Sequence, residues 1–412
     1  MNRRSGRALI AALACVAAVI SLLVFGTGAL ADRSPGEPAQ GLYVFDPSAS
    51  SPKLLVASEE DDPAWSPDGR WIQAFDANDY FINVVNPDGN VRHRAGSISW
   101  SPNRSRVAYT STGQVQNLFV GSTDWSAAKL VKDDVGETLA WAPDSRRFAF
   151  STHDTLVVAA SDGTHARTIL THDPLAALWS PTGRLIAVTG RDAHEYLVPS
   201  SGGRALQLPG GEWDVDMPPL WFPNGKSILG YRTVNDANGG VGGYNGVKFN
   251  VSGGPSKVVC KRCQDFFPSP DGRSIAFTDA SNQVWVVKSD WTGRRLVAKK
   301  PLSCCTWSAD SRQLVLALPG KTANVSTIAV ADLATGQVRR LTDGTHPDSP
   351  DSGLSPDGRF VAFDRYSDQG SELWIMKSDG TQTRKVMSFG TCSLAVWAPK
   401  GALLAVTNLD DC

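Results

Sequence analysis

The stretch Trp65-Ser66-Pro67-Asp68-Gly69-Arg70 decides the fold of this 412-residue chain, because degenerate copies of it recur along the sequence. The copies are spaced 35 to 47 residues apart. Nine of them are recognisable, and they begin at Trp65, Trp100, Trp141, Trp179, Trp221, Pro268, Trp307, Leu354 and Trp397. A period of about 40 residues indicates a repeat array in which each unit packs against its neighbours. We therefore expect one body rather than two or three separate domains.

Each repeat contains short β-branched and aromatic runs separated by turn signals. In the eighth copy, runs at 360–363 and 373–376 lie between turns at 356–358 and 378–380. With the residues before the anchor and a run after the second turn, this gives four strands, which is the blade of a β-propeller. Helical spacing of apolar residues is nowhere sustained. We predict an all-β fold, a single closed β-propeller of about nine four-stranded blades, or eight if one degenerate repeat forms no blade.

The residue types of the anchor explain why it turns the chain. Proline sets φ at the first turn position, aspartate bonds its own backbone and glycine accommodates a positive φ, so the segment closes a hairpin. The tryptophan before it is a wide apolar side chain that suits the space between two sheets. We expect these structural roles for Trp65, Asp68, Gly69, Trp100, Trp141, Trp179, Trp221, Asp271, Gly272, Trp307, Asp357, Gly358 and Trp397.

The two ends of the chain look like complementary parts of one blade. Residues 41–45 and 53–57 have the character of third and fourth strands, and no first and second strands precede them. Residues 393–397 and 402–407 have the character of a first and a second strand. A blade shared by both ends removes an exposed sheet edge. We predict that the propeller, residues 41–412, closes in this way.

The anchor with its following strand, as in Arg273-Ser274-Ile275-Ala276-Phe277, resembles the TolB-like, WD-like β-propeller repeat family, whose signature is W-S-P-D-G-[RK]. The resemblance spans about residues 41–408. Copies at 103–104 and 144–145 depart from it because they lack the glycine, and Pro268 and Leu354 replace the tryptophan. The resemblance implies a propeller that binds another protein.

The N-terminus has the features of an export signal. Arg3, Arg4 and Arg7 precede an uncharged, mostly apolar run at 8–31 that ends in Ala29-Leu30-Ala31, the small-x-small pattern of a signal peptidase site. The run is also long enough to span a bilayer, so a retained membrane anchor is the alternative. We expect residues 1–31 to be a signal peptide or an anchor, and residues 32–40 a flexible tether.

Composition and net charge limit the classes of partner that this chain is expected to bind. The chain has 40 basic and 41 acidic residues and a net charge of −1, which excludes the basic excess typical of nucleic-acid binders. Its 38 glycines, 25 prolines and 13 tryptophans suit many tight turns. We expect a monomer, periplasmic, cell-surface or secreted, whose partner is a protein of the envelope or extracellular space. No nucleic acid is expected, and membrane contact only through an uncleaved N-terminal segment.

Six cysteines lie beyond residue 31: Cys260, Cys263, Cys304, Cys305, Cys392 and Cys412. An exported chain meets an oxidising compartment, so an even number favours disulfides. Cys392 and Cys412 flank the predicted last hairpin, and we predict that they pair and secure the closing blade. The C-x-x-C spacing at 260–263 leaves two alternatives open, a redox pair, or a zinc site completed by Cys304 and Cys305.

Uneven charge marks the loops that connect each repeat to the next. Acidic groups at 59–62, 133–137, 212–216 and 343–351 contrast with basic residues at 261–262 and 299–300. A polar insertion with five glycines at 234–246 also stands out. The simple interpretation is solvated loops, and the sharper one is a charged docking face. The partner-binding candidates are Glu212, Trp213, Asp214, Asp216, Tyr244, Asp348 and Asp351.

Enzyme motifs are mostly lacking in the sequence. It contains no G-x-S-x-G nucleophile elbow, and its six histidines show no metal-binding spacing. We therefore name no catalytic, cofactor-binding or metal residue and expect a non-catalytic protein-binding scaffold. Two alternatives remain, a glycan-acting propeller enzyme with two channel carboxylates about 5 to 10 Å apart, and a membrane-anchored extracytoplasmic sensor.

Overall fold

The computed structural model describes residues 38–58, 60–208, 219–235, 241–367, 370–389 and 392–409. These residues form nine four-stranded antiparallel blades arranged in a ring, and they contain no helix. The predicted all-β propeller and its nine blades are therefore confirmed. No helix capable of spanning a membrane is found in this part of the chain. The predicted signal or anchor at 1–31 lies outside it.

The strands of the first half of the chain follow the predicted order. Blade 9 takes β1 (Gly41–Phe45) and β2 (Lys53–Val56) from the N-terminal end. Blade 1 is β3 (Glu60–Trp65), β4 (Ile72–Asp76), β5 (Phe81–Val85) and β6 (Arg92–Ala95); blade 2 is β7 (Ile98–Trp100), β8 (Arg106–Thr110), β9 (Leu118–Ser122) and β10 (Lys129–Lys132). Blade 3 is β11 (Leu139–Trp141), β12 (Arg147–Ser151), β13 (Leu156–Ala160) and β14 (Arg167–Leu170); blade 4 is β15 (Pro174–Trp179), β16 (Leu185–Gly190), β17 (Glu195–Pro199) and β18 (Leu206–Gln207).

The second half continues in the same way. Blade 5 is β19 (Leu220–Trp221), β20 (Ser227–Asn235), β21 (Val241–Asn250) and the first part of β22 (Lys257–Pro268); blade 6 is the rest of β22 with β23 (Ser274–Thr278), β24 (Gln283–Lys288) and β25 (Arg295–Lys299). Blade 7 is β26 (Ser303–Trp307), β27 (Gln313–Pro319), β28 (Ser326–Asp332) and β29 (Val338–Arg340). Blade 8 is β30 (Asp348–Leu354), β31 (Phe360–Ser367), β32 (Gly370–Lys377) and β33 (Arg384–Phe389), and blade 9 is completed by β34 (Cys392–Trp397) and β35 (Leu404–Leu409).

Blade 9 closes the ring as predicted. β1 pairs antiparallel with β35 from Gly41 opposite Asn408 to Phe45 opposite Leu404. β34 pairs with the other side of β35, so the sheet order is β2-β1-β35-β34. The first and last of the described strands thus share backbone hydrogen bonds, which removes the edges that an open ring would expose.

One strand belongs to two blades. The first part of β22 pairs with β21 up to Cys263, and its second part pairs with β23 from Gln264 onward. The two blades therefore form one seven-stranded sheet, β19 to β25. In this sheet the outer strand of blade 5 runs directly into the inner strand of blade 6.

Each anchor closes the hairpin between the first and second strands of its blade. In the first copy, Ser66 Oγ donates to Asp68 Oδ1 at 2.7 Å, and the Gly69 amide donates to the Ser66 carbonyl at 2.9 Å. The residue at the glycine position has a positive φ, +76° at Gly69. Arg104 and Ser145 adopt the same conformation, at 64° and 58°, although they carry a Cβ. The turn therefore forms in the degenerate copies too, at a cost in backbone strain.

The anchor tryptophans connect neighbouring blades. At six junctions the indole Nε1 donates to the carbonyl of the residue just before the preceding anchor, at 2.9 to 3.2 Å. These pairs are Trp65–Val396, Trp141–Ser99, Trp179–Ala140, Trp221–Leu178, Trp307–Phe267 and Trp397–Gly353. Trp100 donates instead to the side chain of Gln73. The indole thus satisfies its N–H while its ring fills the gap between sheets.

The hydrophobic core is divided among the junctions. Nine clusters of buried side chains occur among the described residues, and each combines residues of two adjacent blades. The cluster between blades 8 and 9, for example, combines Phe389 and Leu373 with Phe45 and Trp397. Because no blade buries its apolar faces alone, the ring forms one body.

Candidate binding face

The antiparallel order gives the propeller two different faces. The turn face carries the anchor turns, such as 66–70, and the turns between third and fourth strands, such as 86–90. The loop face carries the hairpins between second and third strands and the connections from each fourth strand to the next first strand, such as 133–137. Function in propellers concentrates in variable loops held by a rigid scaffold. The loop face is the more variable of the two.

The hairpins of the loop face differ in height. In blades 1, 2 and 3, the second and third strands have five residues each. They have nine and ten residues in blade 5, seven each in blade 7 and eight each in blade 8. At about 3.3 Å per residue, these hairpins rise roughly 7 to 16 Å above the others. Blade 6 lies between the tall blades 5 and 7, and its own second and third strands have five and six residues. We call the sector of blades 5 to 8 the high side, after its three tall hairpins, and blades 1 to 3 the low side.

The polar insertion at 234–246 is largely part of the tallest hairpin. β20 continues to Asn235 and β21 begins at Val241, so the two strands extend into the predicted loop. Residues 236–240 lie outside the described part of the chain. Tyr244 lies on β21 opposite Thr233, half-buried against the cluster between blades 5 and 6. The insertion is therefore a strand extension at its flanks, because paired strands satisfy backbone groups that a loop would leave to water.

The high side of the loop face is basic. Lys261 and Arg262 lie where β22 passes from blade 5 to blade 6, and Lys299 and Lys300 lead from blade 6 to blade 7. All four are exposed. Leu302, next in this connection, is 57% exposed, which places an apolar side chain beside the cations. This sector can meet an acidic and partly apolar surface.

The low side is acidic and has exposed apolar side chains of its own. Asp133 and Asp134 lead from blade 2 to blade 3 and are exposed, and Asp134 accepts from His153 Nε2 at 3.0 Å. Tyr80 and Val115, in the hairpins of blades 1 and 2, are 62% and 61% exposed. The basic residues on either edge of blade 6 and the acidic residues between blades 2 and 3 thus lie on different sides of one face. Asp343, exposed between blades 7 and 8, adds an acidic group to the high side.

Glu60 is not a surface charge, which corrects the acidic group at 59–62. β3 begins at this residue, and the glutamate is fully buried in blade 1. Ser58 Oγ donates to its Oε1 at 2.6 Å, and Asn83 Nδ2 also donates to Oε1. Burial is the main cause that raises its pKa to about 7, and the nearby Asp76 carboxylate adds to the rise. Oε2 has no hydrogen-bond partner among the described residues.

The pairing of Glu60 with Asp76 bears on the enzyme alternative. The two lie opposite each other in adjacent strands, and Asn83 Nδ2 contacts both carboxylates. Their exposed fractions are 0% and 3%. A substrate cannot reach them without opening the blade, so this pair does not form a glycosidase site.

Several inner strands carry β-bulges where they approach the loop face. Register shifts occur in β3, β15, β22, β26 and β30. Asp62 lies in the first of these bulges with φ of 46°. Asp62 is exposed in part, but the protein around its carboxyl keeps water from the rest of it. This desolvation, with the neighbouring Asp61 carboxylate, raises the pKa of Asp62 to about 6. Asp351 lies within the bulge of β30.

Asp348 forms an internal ion pair. Its side chain is fully buried, and Arg365 Nε lies 2.7 Å from Oδ1, with Arg365 Nη2 3.2 Å from Oδ2. The same guanidinium lies over the Trp374 ring at 4.5 Å. A bidentate pair stacked on an aromatic ring holds β30 to the hairpin of blade 8. Asp348 is therefore withdrawn from the surface on which a partner would bind. Glu212, Trp213, Asp214 and Asp216 lie outside the described residues.

Four of the six cysteines form two pairs of spatial neighbours. The sulfur atoms of Cys260 and Cys263 are adjacent, and so are those of Cys304 and Cys305. The described residues contain no group of three or more potential metal ligands, so the two pairs do not combine into the zinc site considered above. Cys392 lies opposite Leu409 in the last hairpin, and Cys412 lies beyond the described residues.

The unequal height of the hairpins was not predicted, although the spacing of the anchors in the sequence indicates it. The longest anchor intervals are 47 residues, from Trp221 to Pro268 and from Trp307 to Leu354. They correspond to blades 5 and 7. A long interval between anchors indicates that a blade has extra residues. Where β-branched and aromatic residues flank the extra segment, they indicate that it lengthens the strands.

Comparison with known proteins supports the fold. No protein-family model matches the chain. An uncharacterized protein of Agrobacterium fabrum strain C58, Atu1656, is 27% identical over 184 residues, and the match covers 41% of this chain and 57% of that protein. The chain thus spans 57% of the length of this curated relative.

Solved structures include propellers of distant sequence. The crystal structure of a eukaryotic initiation factor has a TM-score of 0.56 at 13% identity, covering 85% of this chain and 97% of that one. This likeness shows the fold alone. TolB from Acinetobacter baumannii has a TM-score of 0.35 at 19% identity, with 71% of this chain and 82% of that one covered, and we base no argument on it.

Proposed function

We propose that this chain is an exported, non-catalytic β-propeller that binds a protein partner through its loop face. The arginine-flanked apolar N-terminus supports export. The rigid ring supports a scaffold role, since its blades repeat the same packing and differ from one another in their loops. The TolB-like signature in the sequence agrees with a binding module of the cell envelope.

One observation carries the proposal, the presence on the loop face of a basic sector on either edge of blade 6 and an acidic sector between blades 2 and 3. Lys261, Arg262, Lys299 and Lys300 lie on the first, and Asp133 and Asp134 on the second. Exposed apolar residues accompany both charges. A partner with the reverse arrangement would be oriented as it approaches and would find apolar anchors on contact. Glu212, Asp214 and Asp216, with Trp213 among them, form a further acidic stretch in the sequence, between the strands of blades 4 and 5.

We further propose that the cysteines are structural disulfides. The adjacency of Cys260 with Cys263 and of Cys304 with Cys305 leaves Cys392 and Cys412 as the third pair. Three disulfides suit an oxidising compartment outside the cytoplasm. Mass spectrometry of a non-reduced digest tests this, and Cys412 linked to any residue other than Cys392 contradicts it.

The binding proposal is tested by capture from envelope extract with a chain that starts at residue 32 and so contains every described strand. We expect a defined partner to be retained by the wild type and lost on charge reversal of the low side (Asp133→Lys with Asp134→Lys) or the high side (Lys299→Glu with Lys300→Glu). Asp88→Lys, an exposed substitution on the turn face, is the matched control and should retain the partner. Equal retention by all variants, with Glu212, Asp214 and Asp216 reversed as well, contradicts a loop-face interface.

A further inference from the structure

A groove on the rim of the propeller lies between blades 3 and 4. It has a volume of about 470 Å³, and five consecutive residues, 168–172, line one side of it. Gly203 and Ala205 line the other side. Because consecutive residues of one strand and its continuation form the wall, the groove runs parallel to β14 for roughly 15 Å.

The groove exists because the outer strand of blade 4 is short. β18 has two residues, and only Tyr196 and Leu197 of β17 pair with it. Gly202 and Gly203 precede it with φ of 78° and 125°, a conformation that lets the chain leave the path of a regular fourth strand. The displaced backbone leaves space beside β14.

β14 presents a free edge to this space. It is the outermost strand of blade 3, and it pairs with β13 on one side only. Its Ile169 and Leu170 are buried toward the core, while Thr168 and Thr171 are exposed. An edge strand beside an open groove is a template to which an extended segment can add as a further strand.

Cations flank both walls. Arg167 precedes the lining residues of β14, and its guanidinium lies beside Gly202, where a side chain at 202 would meet it; Arg204 lies between Gly203 and Ala205. Both arginines are exposed, and neither takes part in an ion pair among the described residues. Two acids lie near the His172 end of the groove, and both have partners of their own: Asp173 pairs with Arg191 at 2.9 Å, and Asp192 accepts from the Tyr196 hydroxyl at 2.6 Å and lies 3.6 Å from His194 Nδ1. The two arginines therefore make the groove positively charged, which favours the binding of carboxylates.

We propose that this rim groove binds an extended, acidic segment of a partner protein, which adds to β14 as a fifth strand of blade 3. Backbone hydrogen bonds to β14 hold the segment, and its carboxylates bind Arg167 and Arg204. The site lies on the rim and reaches the loop face only at Thr171 and His172, and it does not depend on the function proposed for that face.

The test uses two fluorescein-labelled hexapeptides with the chain that starts at residue 32, one in which glutamate alternates with valine and one in which lysine alternates with valine. We expect fluorescence anisotropy to show binding of the acidic peptide and at least about tenfold weaker binding of the basic one. Arg167→Glu with Arg204→Glu should weaken the acidic peptide by about tenfold or more. Arg295→Glu, on the exposed outer strand of blade 6, is the matched control and should leave binding unchanged.

Two further measurements locate the site. Hydrogen exchange at 167–172 should slow when the acidic peptide is bound, and Thr168→Trp, which fills the groove without changing charge, should abolish binding while circular dichroism shows an intact fold. The proposal is overturned if no binding occurs up to about 1 mM peptide, if both peptides bind alike, or if the protection lies elsewhere.

Discussion

Trp65 Nε1 donates to the carbonyl oxygen of Val396 at 2.9 Å, across 331 residues of sequence. The bond joins blade 1 to blade 9, the blade built from both ends of the chain. Trp65 itself is 8% exposed and packs with Leu42 and Ala405 of blade 9. The same side chain therefore anchors a turn in its own blade and secures the closure of the ring.

Trp65→Phe should remove this hydrogen bond while keeping most of the apolar contact. We expect a loss of about 1 kcal/mol in the free energy of unfolding, plus the cost of leaving the Val396 carbonyl without its partner. Urea denaturation followed by tryptophan fluorescence measures the change. Trp100→Phe is the comparison, since the Trp100 indole donates to the side chain of the half-buried Gln73 rather than to a backbone carbonyl. A larger loss at Trp100 than at Trp65 contradicts the role of the backbone bond.

Positive-φ positions without glycine offer a second test. Arg104→Gly should raise the free energy of unfolding by about 0.5 to 1 kcal/mol, because glycine adopts φ of 64° without strain. Ser145→Gly relieves the same strain but deletes an acceptor, since Ser145 Oγ accepts from the Asn103 amide at 2.9 Å. Its net effect should be near zero or destabilising. Equal stabilisation by both substitutions would show that the bond between blades contributes nothing.

The fold could be predicted because its information is local and periodic. The anchor segment at 65–70 supplies turn chemistry, and its recurrence supplies the blade count. Even the closing blade followed from the strand character of 41–45 and 402–407, which the pairing of Gly41 with Asn408 confirms. Each of these inferences needs only residue type and spacing.

The binding surface could not be predicted to the same depth, because burial at the ends of the strands depends on where each strand begins. Glu60 and Asp348 precede their anchors by five and six residues and look like loop residues, yet β3 and β30 begin at these positions and bury them. The packing roles of Trp125 and Trp291 were not predicted either, because each lies in a turn outside the repeated anchor. They occupy positive-φ turn positions and fold back on the preceding blade, where Trp291 Nε1 donates to the Val259 carbonyl.

Stability should fall as pH rises from about 5 to 7. Burial raises the pKa of Glu60 and of Glu195 to about 7, from a reference value of 4.5. Between these values the folded state binds more protons than the unfolded chain, so the stabilisation is fully present below about 4.5 and is lost as pH rises through 7. The loss is on the order of 3 kcal/mol for each carboxyl. Urea midpoints measured at several pH values give the slope.

Glutamine mimics the protonated acid and isolates the contribution of each group. Glu60→Gln and Glu195→Gln should each flatten the dependence between pH 5 and 7, and at pH 7.5 each variant should be more stable than the wild type. Asp133→Asn, at an exposed carboxylate, is the control and should leave the slope unchanged. A wild-type slope that survives both glutamine substitutions would assign the effect to other groups.

The Asp348–Arg365 pair should be far more sensitive to the loss of one partner than to the loss of both. Asp348→Ala leaves the Arg365 guanidinium, whose side chain is 13% exposed, without its carboxylate, and we expect a loss of roughly 2 to 4 kcal/mol in the free energy of unfolding. The double substitution Asp348→Leu with Arg365→Met replaces both charges by apolar groups of similar size and should recover most of that loss, because neither charge then remains desolvated. Chemical denaturation of Asp348→Leu, Arg365→Met and the double variant gives the coupling energy directly. If the double variant is as unstable as the sum of the single ones, the two side chains are not coupled, and the bidentate contact is not what holds β30 to the hairpin of blade 8.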